Sequence, residues 1–236
     1  IGLGLENQDL SGKAIRAMKS CSSLYLDSYT SLGINIESLS NLVKKPIIPV
    51  QRDFLENKLS FILGEAKIKD VAVLIQGDCL SATTHIILLL ECKKQKIKYK
   101  VIHGISILTA ISSTGLSLYN FGKTASIPFQ RNNLKIPYQI LKGNKKLGMH
   151  TLFLLDLDPK NNKFISIPEA INYLLNQGMK NCLCIACCNL GTDKQSIKAG
   201  KAKELIKENF HSYPQCLIIP GKTHFIEEEF LEQFKI

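Results

Sequence analysis

No apolar run in this chain approaches the roughly 18 residues that a membrane-crossing helix needs, and its opening residues lack the basic, apolar and small-residue succession of a signal peptide. A soluble, cytoplasmic protein is therefore expected. The phosphate-cradling pattern Gly-x-x-x-x-Gly-Lys-Ser/Thr is missing, which disfavours phosphotransfer. Also missing are the Gly-x-Ser-x-Gly elbow of hydrolases and histidines paired at metal-binding spacing. Arginine is scarce as well: Lys plus Arg number 30 against 20 Asp plus Glu, a net charge of +10, but nearly all the bases are lysine. Nucleic-acid recognition favours arginine and stacking rings. The clusters at Lys93, Lys94, Lys96, Lys98 and Lys100, and at Lys142, Lys145 and Lys146, have few aromatics between them. They read as solvated faces, so no direct nucleic-acid contact is expected, although an acidic or RNA-associated partner stays compatible.

Apolar material, by contrast, is ample. With 236 residues, 45% hydrophobic and 21% charged, the chain can bury roughly 70% of its unfolded surface in one or two cores. Its 8 cysteines are read as reduced, because a chain of this size needs no staples and Cys21, Cys79, Cys92 and Cys216 are isolated. Cys182, Cys184, Cys187 and Cys188, in CLCIACC, suggest a metal at first sight. The intervening residues are apolar, however, and no second CxxC or His pair completes a tetrahedral set. Core packing is the preferred reading, and no metal is expected.

Strand-like and helix-like segments alternate throughout. Helices are expected over Leu10–Ser20, Ile36–Val43 and Phe54–Ala66, after His85, from Ser106, over Pro168–Asn176 and Lys198–Asn209, and from Ile226. Strands are expected around Leu24–Leu26, Pro46–Pro49, Val71–Ile75, Tyr99–Ile102, Ser126–Phe129, His150–Leu155, Cys182–Cys188 and Cys216–Ile219. Between Phe129 and His150 only a polar, proline-containing stretch is read. The alternation favours an α/β fold with a mostly parallel sheet in the first half. The Gly-, Ser- and Asn-rich string STGLSLYNFGKT places a boundary near residues 111–125. The expected architecture is two α/β domains, 1–112 and 113–236, with a ligand cleft between them.

Three strings carry candidate chemistry. VAVLIQGDCLSATTH, Val71–His85, joins an aliphatic run to a Gly-Asp turn and a helix start, the junction at which open α/β sheets bind ligands. Asp78 there serves equally well as a helix cap, shared with Ser81, Thr83 and Thr84, or as a ligand carboxylate. His85 reads as a packing histidine. IGLGLE, Ile1–Glu6, lets backbone approach a ligand, but a dinucleotide fingerprint needs a glycine where Asn7 stands. So little strand precedes it that a few further residues are expected upstream. HGISIL, His103–Leu108, repeats the strand-end geometry, and two such ends can cradle a flat, mostly uncharged ligand.

Taken together, IGLGLENQDLSGKAI, LYLDSYTS, GDCLSATTH, HGISILTAISSTGLSLYNFGKTASIPF, LGMHTLFLLDL and LIIPGKTHFIEEEF resemble the diphthine synthase family of the tetrapyrrole methylase superfamily. The likeness holds in order and over nearly the whole chain, in the compact archaeal form. GLSLYNFGKTASIPF and ATTH are particular to that family, whereas GLGL is shared with porphyrin-methylating relatives. The resemblance implies an S-adenosylmethionine-dependent methyltransferase that successively methylates the amino group of the diphthamide precursor on translation elongation factor 2, with S-adenosylhomocysteine as the other product. It also implies a homodimer. By motif, the donor contacts are Leu5, Asp78, Ser81, Ser106 and Ile107, then Leu155 and Leu190. A family histidine before LIxPG is Gln215 here. Cys79 stands where the family has proline, and Gly104 where asparagine is common. No general base is assigned. Alternatives are methylation of a tetrapyrrole and a noncatalytic RNA-binding or regulatory role.

Overall fold

The computed structural model describes residues 1–28, 32–51, 59–131 and 134–236. They form two compact units, Ile1–Leu108 and Thr109–Ile236.

In the first unit, α1 (Gly12–Ser20) begins at Ser11, whose hydroxyl accepts the Ala14 N–H at 3.1 Å. This satisfies one of the donors a helix start leaves free. β1 (Ser23–Asp27) is followed by α2 (Ile36–Val43), capped by Asn35, which accepts the Ser38 N–H at 2.9 Å. β2 (Ile48–Val50), α3 (Leu59–Ala66), β3 (Val71–Leu74) and α4 (Ile86–Lys94) complete the unit. β2 and β3 both pair in parallel with β1, so β1 is the central strand. Its period-2 alternation sends Leu24 and Leu26 into a core with Met18, Leu39, Val43 and Leu74, while Tyr25 packs on the opposite face with Val50 and Ile62. Each fully buried leucine contributes about 1.5–3 kcal/mol.

Two expectations need comment. The first part of the Phe54–Ala66 helix, 54–58, lies outside the described residues. Tyr99–Ile102 is not a strand. The reason is that Ile1–Gly4 lies between this segment and the end of β3: Gly2 N–H donates to Ile102 O at 2.7 Å, and Leu3 N–H donates to Ile75 O at 2.9 Å. The segment thus holds an isolated link and not a ladder.

The chain leaves the first unit in the short helix α5 (Ile107–Ala110). The second unit runs through β4 (Ala125–Ile127), α6 (Ile136–Lys146), β5 (Thr151–Leu155), β6 (Leu157–Asp158), β7 (Lys163–Phe164) and α7 (Ile167–Asn176). It continues with β8 (Leu183–Cys188), β9 (Ser196–Lys201), α8 (Ala202–Leu205), β10 (Gln215–Ile219) and α9 (Phe225–Leu231). Its main sheet has the order β4-β5-β10-β8-β9, and only β4 and β5 are parallel. β10, at the centre, is buried along its whole length. Cys184 and Cys188 face the core with Phe153, Ile171 and Leu217, while Cys187 and Cys216 pair across β8 and β10. All 8 cysteines are free.

Two corrections belong here. The polar stretch before His150 contains α6, because Pro137 sits in the first helical turn, where its missing N–H costs nothing, and Leu141 is buried beneath it. The Lys198–Asn209 helix is replaced by β9 and the short α8. SIKAGK pairs residue for residue with LCIACC, and Ala199 and Gly200 are buried against it. Tertiary pairing overrides the local helical pattern there.

Candidate functional site

The end of the first unit's sheet is built from three chain segments packed backbone to backbone. A Cβ at Gly2 would lie 2.6 Å from Gly104 N and 2.7 Å from Gly77 O. Gly4 and Gly77 hold φ of +83° and +79°, the left-handed region that favours glycine. The glycines of GLGL thus answer to chain contact and turn geometry first. Gly104 is equally close: a Cβ there would meet Gly77 O at 2.6 Å.

Asp78 ties two of these segments, the GDCLS and HGIS loops, together. Its Oδ1 accepts from Leu80 N–H at 3.0 Å and from the Ser81 hydroxyl at 3.1 Å. Its Oδ2 accepts from His103 Nδ1 at 2.7 Å and from Gly104 N–H at 3.2 Å. Burial alone would raise this carboxyl, which is 8% exposed, but the hydrogen bonds outweigh it and hold the pKa below the ordinary value. The carboxylate is therefore an anchor between the GDCLS and HGIS loops. It does not cap α4, and neither do Ser81, Thr83 or Thr84, since that helix starts at His85 with no side-chain cap. His85 is engaged elsewhere, with Thr83 through Nδ1 and with Asp27 at 3.2 Å through Nε2.

The remaining candidates of this unit sit on the same loops. Leu5 N–H donates to Asp9 at 2.8 Å, and Leu5 O accepts from the Gln76 amide at 2.8 Å. Ser106 is buried, with its hydroxyl accepting the Leu108 N–H at 3.1 Å, and Ile107 opens α5. Five motif-derived positions, Leu5, Asp78, Ser81, Ser106 and Ile107, therefore stand at one edge. Sequence reasoning left His103 without a role; its one signal was a histidine at the expected end of a strand, and its partner Asp78 lies 25 residues away in the chain.

Asp78, Cys79 and His103 have donor atoms within 4.8 Å of one another, the one such trio among the described residues. N–H and O–H donors already occupy both Asp78 oxygens, so the trio is a hydrogen-bonded anchor. A cavity of about 900 Å³ in the same unit is lined by Ile62, Leu63, Val73, Leu88, Leu89 and Ile102, among others. Cys79, Leu80 and His85 line it as well, whereas Asp78, His103 and Ser106 do not.

In the second unit, Leu155, Gln215 and Leu190 come to one sheet edge. β5 and β10 pair as Leu154 with Cys216, which sets Leu155 beside Gln215, and Gln215 pairs with Cys188 of β8. Gln215 is fully occupied as a donor: its amide nitrogen binds Phe210 O at 3.2 Å and Ser212 O at 3.0 Å, while its oxygen accepts the Ile167 N–H at 2.9 Å. The strings GLSLYN, LGMHT and PGKTHFIEEE meet at a buried pair. His150 Nδ1 accepts the Gly221 N–H at 3.0 Å, and its Nε2 lies 3.5 Å from Glu227 Oε1. Glu227 accepts from Ser117 N–H and His224 N–H, both at 2.8 Å.

A family model for Tetrapyrrole (Corrin/Porphyrin) Methylases matches residues 1–206. The chain is 36% identical to the "Probable diphthine methyl ester synthase" of Arabidopsis thaliana, over 100% of this chain and 97% of the relative. It is also 36% identical to a diphthine synthase of Methanococcus maripaludis, over 98% and 96%. A solved diphthine synthase structure superposes with a TM-score of 0.92 at 31% identity, covering 100% of this chain and 94% of its own. The chain belongs to the tetrapyrrole methylases and, within them, to the diphthine synthase family.

Proposed function

We propose that the protein is an S-adenosylmethionine-dependent methyltransferase of diphthamide biosynthesis, and that it methylates the amino group of the modified histidine on translation elongation factor 2. The single observation that carries this reading is the Asp78 anchor. It joins GDCLS to HGISI, and backbone hydrogen bonds from Gly2 to Ile102 and between Gly4 and Gly77 set GLGL beside them, so three strings that the resemblance assigns to the donor share one edge. The residues there suit such a donor. Leu5 and Ile107 offer apolar contact to a flat base, Ser81 and Ser106 carry hydroxyls, and an ionised Asp78 supplies negative potential for a cationic sulfonium. When bound, the donor supplies an electrophilic methyl group on a sulfonium.

This chain's own residues bind, orient and exclude water, which can supply about 7–11 kcal/mol toward a bimolecular transfer. An acceptor α-amino group titrates at about 7.7–8.0, and desolvation enlarges its neutral fraction. Leu155, Leu190 and Gln215 are carried as further donor contacts of the second unit. For Gln215 the proposed contribution is indirect, through the backbone it pins. We place the enzyme in the cytoplasm as a homodimer, with the dimer to be checked by analytical ultracentrifugation.

Purified protein incubated with labelled S-adenosylmethionine and elongation factor 2 carrying the unmethylated precursor should label the factor. Label on a tetrapyrrole alone, or no donor binding in calorimetry, would refute the reading. A second acceptor is favoured by the plant relative's name, which specifies a methyl ester. Mild alkali distinguishes the two products, since it releases label from an ester and leaves an N-methyl group intact.

A further inference from the structure

The donor site leaves one side chain unexplained. His103 stands on the loop that follows the extended segment Tyr99–Ile102, and its side chain is 70% exposed although one ring nitrogen is tightly held. The holding partner decides which nitrogen is free. Asp78 lies below the ordinary carboxylate pKa, so it is ionised at neutral pH and can only accept. His103 Nδ1, 2.7 Å from Asp78 Oδ2, must therefore carry the proton. In the neutral imidazole this leaves the lone pair on Nε2, at the far end of the ring. A carboxylate that orients an imidazole by one nitrogen and frees the other for proton transfer is the general arrangement of a histidine base. The carboxylate itself is rigid, because three further donors, Leu80 N–H, the Ser81 hydroxyl and Gly104 N–H, fix both its oxygens. Among the described residues Asp78 and Cys79 stand beside the ring, and the Ile1 ammonium interacts with both. The Cys79 thiol is turned to Ile102 O at 3.4 Å.

We propose that His103 is the proton acceptor for the methyl-accepting amine, with Asp78 holding the ring in the productive tautomer. This rests on the methyltransferase reading above. In the step, His103 Nε2 forms a bond to a proton of the acceptor ammonium, and that N–H electron pair stays on the amine nitrogen. The freed pair forms the new N–C bond to the sulfonium methyl group, while the S–C bond breaks and its electrons return to sulfur as a neutral thioether. Charge is conserved: the imidazole becomes imidazolium, and it later gives its proton to solvent. Each further methylation of the same nitrogen, up to the tertiary amine, needs the same proton removal. One reused base at the edge of the donor site therefore suits a repeated reaction.

His103→Asn is the discriminating variant. Its amide N–H can still donate to Asp78, but it offers no titratable nitrogen, and the exposed position makes misfolding no concern. Donor affinity in calorimetry should stay within about twofold of wild type. Turnover at pH 7 should fall by about 100-fold, within the range for loss of a general base. The acid limb of the wild-type kcat/KM profile should disappear. Independently of turnover, nitrogen-15 NMR of the wild type without ligand should show His103 protonated at Nδ1 and bare at Nε2. An Nε2-protonated ring, or a variant with unchanged rate and pH profile, overturns the role of His103 while the methyltransferase reading stands. A wild type that binds no donor overturns both.

Discussion

The two units use buried polar groups in opposite ways. In the first, Asp78 sits at the end of a parallel sheet and binds groups from the GDCLS and HGIS loops. In the second, Glu227 is just as well satisfied, but it is 2% exposed and lies against the fully buried His150, with Ser117 N–H and His224 N–H as its donors from the half-buried and exposed loops above. One carboxylate shapes an edge and the other locks an interior. The comparison teaches that a string particular to a family need not be a binding string. GLSLYN and LGMHT meet in a buried packing knot, whereas GDCLS is held by a loop anchor.

The strongest way to break this contrast is Glu227→Ala. It would strip Ser117 and His224 N–H of their acceptor and leave His150 Nε2 without a partner in the interior, at a cost of about 3 kcal/mol for donors left unsatisfied. Hydrogen exchange should show protection lost along β10 and β5, with the first unit's β1 unchanged. Equal loss in both units would erase the distinction. Next in size, Gly2→Ala should cost about 1–3 kcal/mol by forcing a Cβ against Gly104 N and Gly77 O. Here the loss should appear in β3 and be absent from β10.

Asp78→Ala should weaken S-adenosylmethionine binding at least tenfold, about 1.4 kcal/mol, while the denaturation of the second unit stays as in wild type. Calorimetry showing unchanged affinity would remove Asp78 from the donor site. The smallest effect concerns pH. Burial pushes the His150 pKa below its ordinary 6.5, so the unfolded chain takes up a proton before the folded one does. No cost arises above that value, and a growing cost appears as pH falls below it. Glu227 adds to this trend. Burial would raise its pKa, but the hydrogen bonds from His224 and Ser117 bring it to about 2 from the usual 4.5. Its contribution is complete above 4.5 and is lost as pH falls toward 2. The second unit's denaturation midpoint should therefore be lower at pH 5.5 than at pH 7.5, and His150→Gln should flatten that first step.

Much of the local structure was legible beforehand. Ile36–Val43 is helical over the expected span, and Val71–Leu74 is the expected strand ending in its Gly-Asp turn. α6 was hidden because Pro137 and a lysine-rich surface mask a helix that buries only one side. β9 was hidden because SIKAGK is stable as a strand only when β8 lies beside it. The family was legible too, since its strings keep their order along the chain.

What the amino-acid order determined by itself was periodicity, turn chemistry and kinship, all of which are local or linear properties. It could not decide between a capping and a binding Asp78, because both need the same residue beside the same turn. Only the tertiary structure removed the cap, by setting His103 and Gly104, 25 and 26 residues further along, against one carboxylate oxygen. The physical reason is that a hydrogen bond depends on the partner that folding brings within about 3 Å, and that partner is set by how the segments pack.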